Sequence, residues 1–162
     1  MRFIIKQKVF TLGDNFTIKD DKGVERFMVK GQLFSLGDKL RIYDMTGQEL
    51  IYIEQKILRF LPEYKIYYLG RPMATIKKEF TFLKPRFNIQ SERDNYTIVG
   101  NFLALNFSIF KNNRKIASIS KSWISWGDTY TVDILEDENQ AFVLALVIII
   151  DQVLHDDNHN NH

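Results

Sequence analysis

The sequence predicts a mainly β protein, a barrel of about a dozen short strands threaded by a hydrophobic C-terminal helix. Three observations point there. Most of the chain alternates apolar and polar residues with period two, in segments rich in Ile, Val, Tyr, Phe and Thr. Gly, Asp and Asn punctuate those segments at even spacing. One stretch, "AFVLALVIII" at residues 141–150, is apolar without interruption and fits neither pattern. No Pro- or Ser-rich linker divides the 162 residues, a length that suits one domain with a real core.

The hairpins follow in order. "FTIKDDKGVERFMV" turns at Asp21 to Gly23, and "LRIYDMTGQELIYIEQK" at Met45 to Gly47. "YKIYYLGRPMATIKKEF" turns at Gly70 to Pro72, and "RFNIQSERDNYTIVGNF" near Arg93 to Asn95. "FSIFKNNRKIASISKSW" turns at Asn112 and Asn113, and "YTVDILEDENQ" leaves the last strand through an acidic turn. Part of this design repeats. "FTLGDNFTIKDDKGVE" and "FSLGDKLRIYDMTGQE" match at an offset of 24 residues, and "SWGDTYTVDI" is a weaker echo. A Gly–Asp pair opens a strand in each. Asp14, Asp38 and Asp128 read best as a repeated turn device, in which the carboxylate bonds nearby amides. The alternative makes them metal or catalytic carboxylates.

The apolar stretch is too short to span a bilayer, which takes roughly 20 apolar residues. Its β-branched residues favour a strand, but no turn residue appears before Leu154. Asp137, Glu138 and Asn139 supply carboxylates near a helix N-terminus and a capping candidate, and His155 suits the other end. A helix apolar all round must be buried all round. About 15 residues at 1.5 Å each span about 22 Å, the height of a small barrel. Asp151 then becomes a buried carboxylate, expected to bond groups at the barrel rim rather than to do acid–base work.

Composition narrows the function classes. The chain has no cysteine, which excludes disulfides, thiol nucleophiles and Cys-ligated metals and fits a cytoplasmic setting. "MRFIIKQKVF" lacks the apolar run of a signal peptide. His155, His159 and His162 all lie near the C-terminus, so a Ser–His–Asp relay in the body is excluded. No Gly-rich phosphate loop appears. The expectation is a protein that is not an enzyme, with no cofactor and no metal. Residues 1–155 form the domain, and 156–162 a polar tail expected to be disordered.

Charge is unevenly placed. The net value is +2, yet every Lys and Arg lies at or before Lys121, and the remaining segment carries only acids. Residues 56–86 are the richest basic span. Two readings compete. One is a face for phosphate-bearing partners; the other is a solvated surface whose two halves neutralise each other in space. "KKEFTFLKPRF" puts Phe80 and Phe82 on one face and ends in basic residues. "KSWISWGDTYTVD" places Trp123 and Trp126 on opposite faces of a regular strand, as barrel packing or as an aromatic platform.

Eight stretches together resemble the LURP-one-related family of the Tubby C-terminal-like superfamily, and its short bacterial members in particular. They are "KQKVFTLGDNFTI", "LFSLGDK", "IEQK", "KKEFTF", "RFNI", "GNF", "ISKSWISWGDTYTVDI" and "LALVIIIDQVLHD". The resemblance implies a closed antiparallel twelve-stranded β-barrel enclosing a hydrophobic C-terminal helix. Tubby-like domains bind phosphoinositide head groups through basic residues on the barrel surface. The group this sequence offers is Lys77, Lys78, Lys84 and Arg86, chosen from its own charge pattern rather than from a matched lipid motif. Lys77 and Lys78 point to opposite faces of an ideal strand. The expected partner is an anionic lipid or membrane surface bound peripherally, with no transmembrane span and no nucleic acid. A protein-interaction scaffold with no small ligand is the alternative, and an enzyme of unrecognised type is a less favoured one.

Overall fold

Strand-forming segments of five to nine residues pair with their sequence neighbours because each is joined to the next by a short turn or loop. The computed structural model describes residues 1–6, 15–32, 39–56, 60–82, 84–121 and 129–159. Strands β1 (Arg2–Lys6), β2 (Phe16–Asp20), β3 (Glu25–Gln32) and β4 (Lys39–Asp44) come first. Then follow β5 (Glu49–Gln55), β6 (Glu63–Tyr68), β7 (Arg71–Glu79) and β8 (Arg86–Gln90). The last four are β9 (Tyr96–Asn101), β10 (Asn106–Lys111), β11 (Arg114–Lys121) and β12 (Thr129–Ile134), and helix α1 (Gln140–His159) ends the order. All neighbours are antiparallel, and β1 pairs with β12 to close the ring. The predicted fold class is therefore observed.

The ring is not uniform. β8 and β9 share one register pair, Ile89 with Tyr96, whereas β9 and β10 share six. Alternation sends one face of every strand inward. Phe3, Ile18, Ile42, Ile51, Ile66, Ile76, Ile109, Ile119 and Val132 line the interior and are buried. The helix fills it. Residues 141–154 are buried on every side, polar Asp151 and Gln152 included. α1 packs on β12 and, across the ring, on β5 and β6. Its 20 residues make about 30 Å of helix. It runs past Leu154 to His159, beyond the apolar segment that predicts it.

The barrel has two ends. The proximal end, where α1 begins, carries the turns after β2, β4, β6, β8 and β10. The distal end, where α1 finishes, carries the connections β5–β6, β7–β8 and β9–β10 among the described residues. The sequence expects a turn at Gly70 to Pro72; it forms one residue earlier, at Leu69 and Gly70, with Pro72 already paired to Tyr67. The helix start also differs in detail. Asn139 is the cap, its side-chain oxygen accepting from the Phe142 amide at 3.0 Å. Asp137 and Glu138 precede the first turn, and their carboxylates go to Arg114 and Lys111.

The internal repeat is explained as far as it is described. Ile18 and Ile42 both point inward, and Asp20 and Asp44 both organise the turn that follows. Asp20 accepts from the Lys22 and Val24 amides, and Asp44 from those of Thr46 and Gln48. Gly23 and Gly47 hold positive φ of 78° and 89° within those turns. The Gly–Asp pairs with Asp14, Asp38 and Asp128 lie outside the described residues, as do Trp123, Trp126 and the three histidine side chains.

Candidate functional site

The β7–β8 hairpin carries the candidate basic residues: Lys77 and Lys78 on β7, Lys84 on the connection and Arg86 at the start of β8. Lys77 is on the outward side of β7, opposite Glu63 and Asn88 in register, with its ammonium 3.9 Å from the Glu63 carboxylate. Lys78 shares the side of Ala74 and Ile76, facing Phe87, and its amide donates to the Pro62 carbonyl at 3.0 Å. Alternation thus separates the two lysines, as the sequence requires. Lys84 and Arg86 are exposed together where the chain re-enters the sheet as β8. The Thr81 hydroxyl donates to the Lys84 carbonyl and holds this connection in a turn. The structure therefore brings Lys84 and Arg86 together, gives Lys77 a carboxylate neighbour and sets Lys78 on the other face.

Aromatic rings accompany the cations. Phe80 and Phe82 are exposed and meet edge to face with ring centres 5.3 Å apart. Phe60 is exposed on the adjacent β5–β6 connection, which the bond from the Lys78 amide to Pro62 ties to the end of β7. The sequence singles out Phe80 and Phe82 but not Phe60, because only strand order reveals that the two connections are neighbours.

A second surface was not signalled by any motif. On the outer face of β3 to β6, Lys30 lies over Tyr43, Arg41 over Tyr52 and Lys65 over Tyr67, each within 5.4 Å of the ring centre. Tyr52 and Tyr67 are direct cross-strand partners with ring centres 5.7 Å apart. Arg41 also pairs with Glu49 at 3.0 Å. These cations are engaged with neighbours on the barrel itself.

At the proximal end the C-terminal acids meet bases from the rest of the chain. Arg2 grips Asp133 through two bonds of 2.7 and 2.9 Å, and Arg114 grips Asp137 through two of 2.8 and 3.2 Å. Lys111 reaches Glu138 at 3.1 Å. The acidic segment is to that extent neutralised in space. Hydrogen bonding and charge from Arg114 hold the Asp137 carboxyl below the usual range, against the opposing effect of burial. Burial would raise Asp20, but the Val24 amide, the Arg26 guanidinium and the Lys22 amide outweigh it and hold it low. Asp44 is lowered chiefly by the Thr46 hydroxyl. A cleft of about 570 Å³ lies at this end, between the β6–β7 turn and the β8–β9 loop, and contains Arg71, Arg93, Glu92 and Asp94.

The interior near the distal end is chemically different. Burial pushes the Asp151 carboxyl up to about 7. Tyr130 is fully buried, and burial, with the charge of Asp151, raises its hydroxyl well above the ordinary value. That hydroxyl has no hydrogen-bond partner among the described residues.

The profile of the LURP-one-related family matches residues 1–151. The chain belongs to the LURP-one-related family. It is 37% identical over 157 residues to the uncharacterised Bacillus subtilis protein YxjI, covering 97% of this chain and 96% of that one. It is also similar in fold to an Arabidopsis thaliana protein solved by X-ray crystallography, with a TM-score of 0.67 at 19% identity, over 94% of this chain and 90% of that one. Among the described residues of this LURP-one-related barrel, no helix is long and apolar enough to cross a membrane and no cluster of three His, Cys, Asp or Glu is placed to hold a metal.

Proposed function

We propose that this LURP-one-related barrel is a non-catalytic binding module that attaches peripherally to anionic phospholipid surfaces in the cytoplasm. The observation that supports it is that Lys84, on the β7–β8 connection, and Arg86, which opens β8 opposite Glu79, are both exposed beside the exposed rings of Phe80 and Phe82. Exposed ammonium and guanidinium groups attract lipid phosphate and phosphatidylserine at about 1 kcal/mol per charge near the surface. Lys77 adds to the field more weakly, because Glu63 lies beside it. The helix-filled interior supports a surface mode of binding, since the barrel's inner face is taken up by α1.

Vesicle sedimentation tests this. The protein should pellet with phosphatidylcholine–phosphatidylserine vesicles and not with phosphatidylcholine alone, and more strongly at low salt. Replacing Lys84 and Arg86 by Ala should weaken binding by about 2 kcal/mol, roughly 30-fold. Equal binding by the double variant would remove these residues from the proposal.

A further inference from the structure

Every described connection at the distal end carries a large apolar side chain in water. The β5–β6 connection presents Phe60 at 93% exposure, β7–β8 presents Phe80 at 65% and Phe82 at 91%, and β9–β10 presents Leu103 at 66%. The exposed apolar side chains of the proximal turns, Val24, Met45 and Leu69, all stay at or below 48%. These three distal connections follow one another around the ring, and Phe102 of the β9–β10 connection meets Phe87 of β8 with ring centres 5.4 Å apart, so their exposed side chains share one rim. Isolated exposed apolar residues need no explanation, but a contiguous exposed arc marks a contact surface. Lys84, on the same connection, and Arg86, at the start of β8, follow Phe82 along the chain. Aromatic rings at the tip with cations behind them match the layering of an anionic bilayer, where apolar groups meet the acyl boundary and cations meet phosphate.

We infer that the distal rim enters the bilayer, with Phe60, Phe80, Phe82 and Leu103 as a wedge across three connections and the barrel standing end-on. This rests on the lipid reading above and deepens it, because it makes the partner a bilayer with an apolar depth rather than a head group alone. It also sets the orientation. The proximal turns face away from the membrane.

The absence of cysteine makes the test direct, since single cysteines can be introduced without background. Phe60→Cys, Phe82→Cys and Leu103→Cys, with Met45→Cys as the proximal control, are each given a nitroxide label. They are then mixed with phosphatidylcholine–phosphatidylserine vesicles, and label depth is read from relative collisions with oxygen and a water-soluble nickel complex. Shielding of the three distal labels from nickel, with Met45→Cys fully accessible, is expected. In parallel, Phe60→Ser/Phe82→Ser should bind vesicles at least tenfold more weakly, as expected for rings that lose an apolar environment. That loss should persist at high salt, unlike the loss from Lys84→Ala/Arg86→Ala. A protein that binds vesicles with every label in water overturns the wedge and leaves the lipid reading standing. Failure to bind any anionic vesicle overturns both.

Discussion

The two ends of the barrel share strands but not chemistry. At the proximal end, acids are matched. Asp20 and Asp44 gather turn amides, Asp133 and Asp137 are gripped by arginines, and Asn139 caps the helix that begins there. At the distal end, rings and cations stand in water and a carboxyl is buried beneath them. The proximal end is built to shut the barrel, with Asp20, Asp44, Asp133, Asp137, Glu138 and Asn139 all finding partners within the chain. The distal end leaves its surface groups for something else to satisfy. The contrast shows that a symmetric architecture, with the same strands reaching both rims, is differentiated by the residues at its strand ends and connections.

Helix α1 joins the ends, and breaking it is the largest test. Val147 is fully buried midway along it. Val147→Asp should cost more than about 4 kcal/mol and abolish the cooperative thermal transition seen by circular dichroism. A folded, cooperative variant would mean the helix does not fill the ring.

The next effect separates the ends by pH. Asp151 has a raised pKa, so the folded state binds its proton more tightly than the unfolded state. Stability should therefore fall as pH rises from about 4 to about 7, and stay low above, by a few kcal/mol at most. The proximal Asp20, Asp44 and Asp137 are lowered, so their contribution is present above the ordinary carboxylate range and lost as pH falls through their folded pKa values. Denaturant titrations should place the optimum near pH 4 to 5, and Asp151→Asn should flatten the decline above it. Persistence of that slope in the variant would assign it to another group.

Smaller effects sharpen the comparison further. Gly100, near the distal end of β9 and opposite Phe107, has φ of 142°, and a Cβ there would lie 2.5 Å from the Asn106 carbonyl oxygen. Gly100→Ala should cost about 2 kcal/mol in urea unfolding. At the proximal end, Asn139→Ala removes the cap and should cost about 1 kcal/mol. Phe82→Ser should change stability by less than about 0.5 kcal/mol, because the ring is almost wholly in water. A marked loss of stability there would mean the arc is structural.

The fold was legible because its information is local. Each hairpin is written in adjacent segments, and the period-two pattern names the inward face, as Ile42, Ile51 and Ile66 show. The helix was legible because residues 141–150 have no polar side to turn outward. The candidate site was only half legible. "KKEFTFLKPRF" discloses Phe80, Phe82 and the cations, but Phe60 and Leu103 are brought beside them by strand order, which no short motif encodes. The same holds for the Tyr52 and Tyr67 pair, fifteen residues apart in sequence and opposite in register. The acidic C-terminal segment suggested a charge imbalance, which Arg2, Lys111 and Arg114 offset in space at Asp133, Glu138 and Asp137.

The core helix also has a place in time. All twelve strands leave the ribosome before α1 does. At about 5–20 residues per second, the 20 residues of α1 take roughly one to four seconds to make. During that interval the nascent chain carries twelve apolar inner faces and nothing to cover them. A stalled or truncated product would keep that surface indefinitely, and so would be a chaperone client by construction. Supplying α1 as a separate peptide to such a product should rescue it, if the ring can be filled after it is formed.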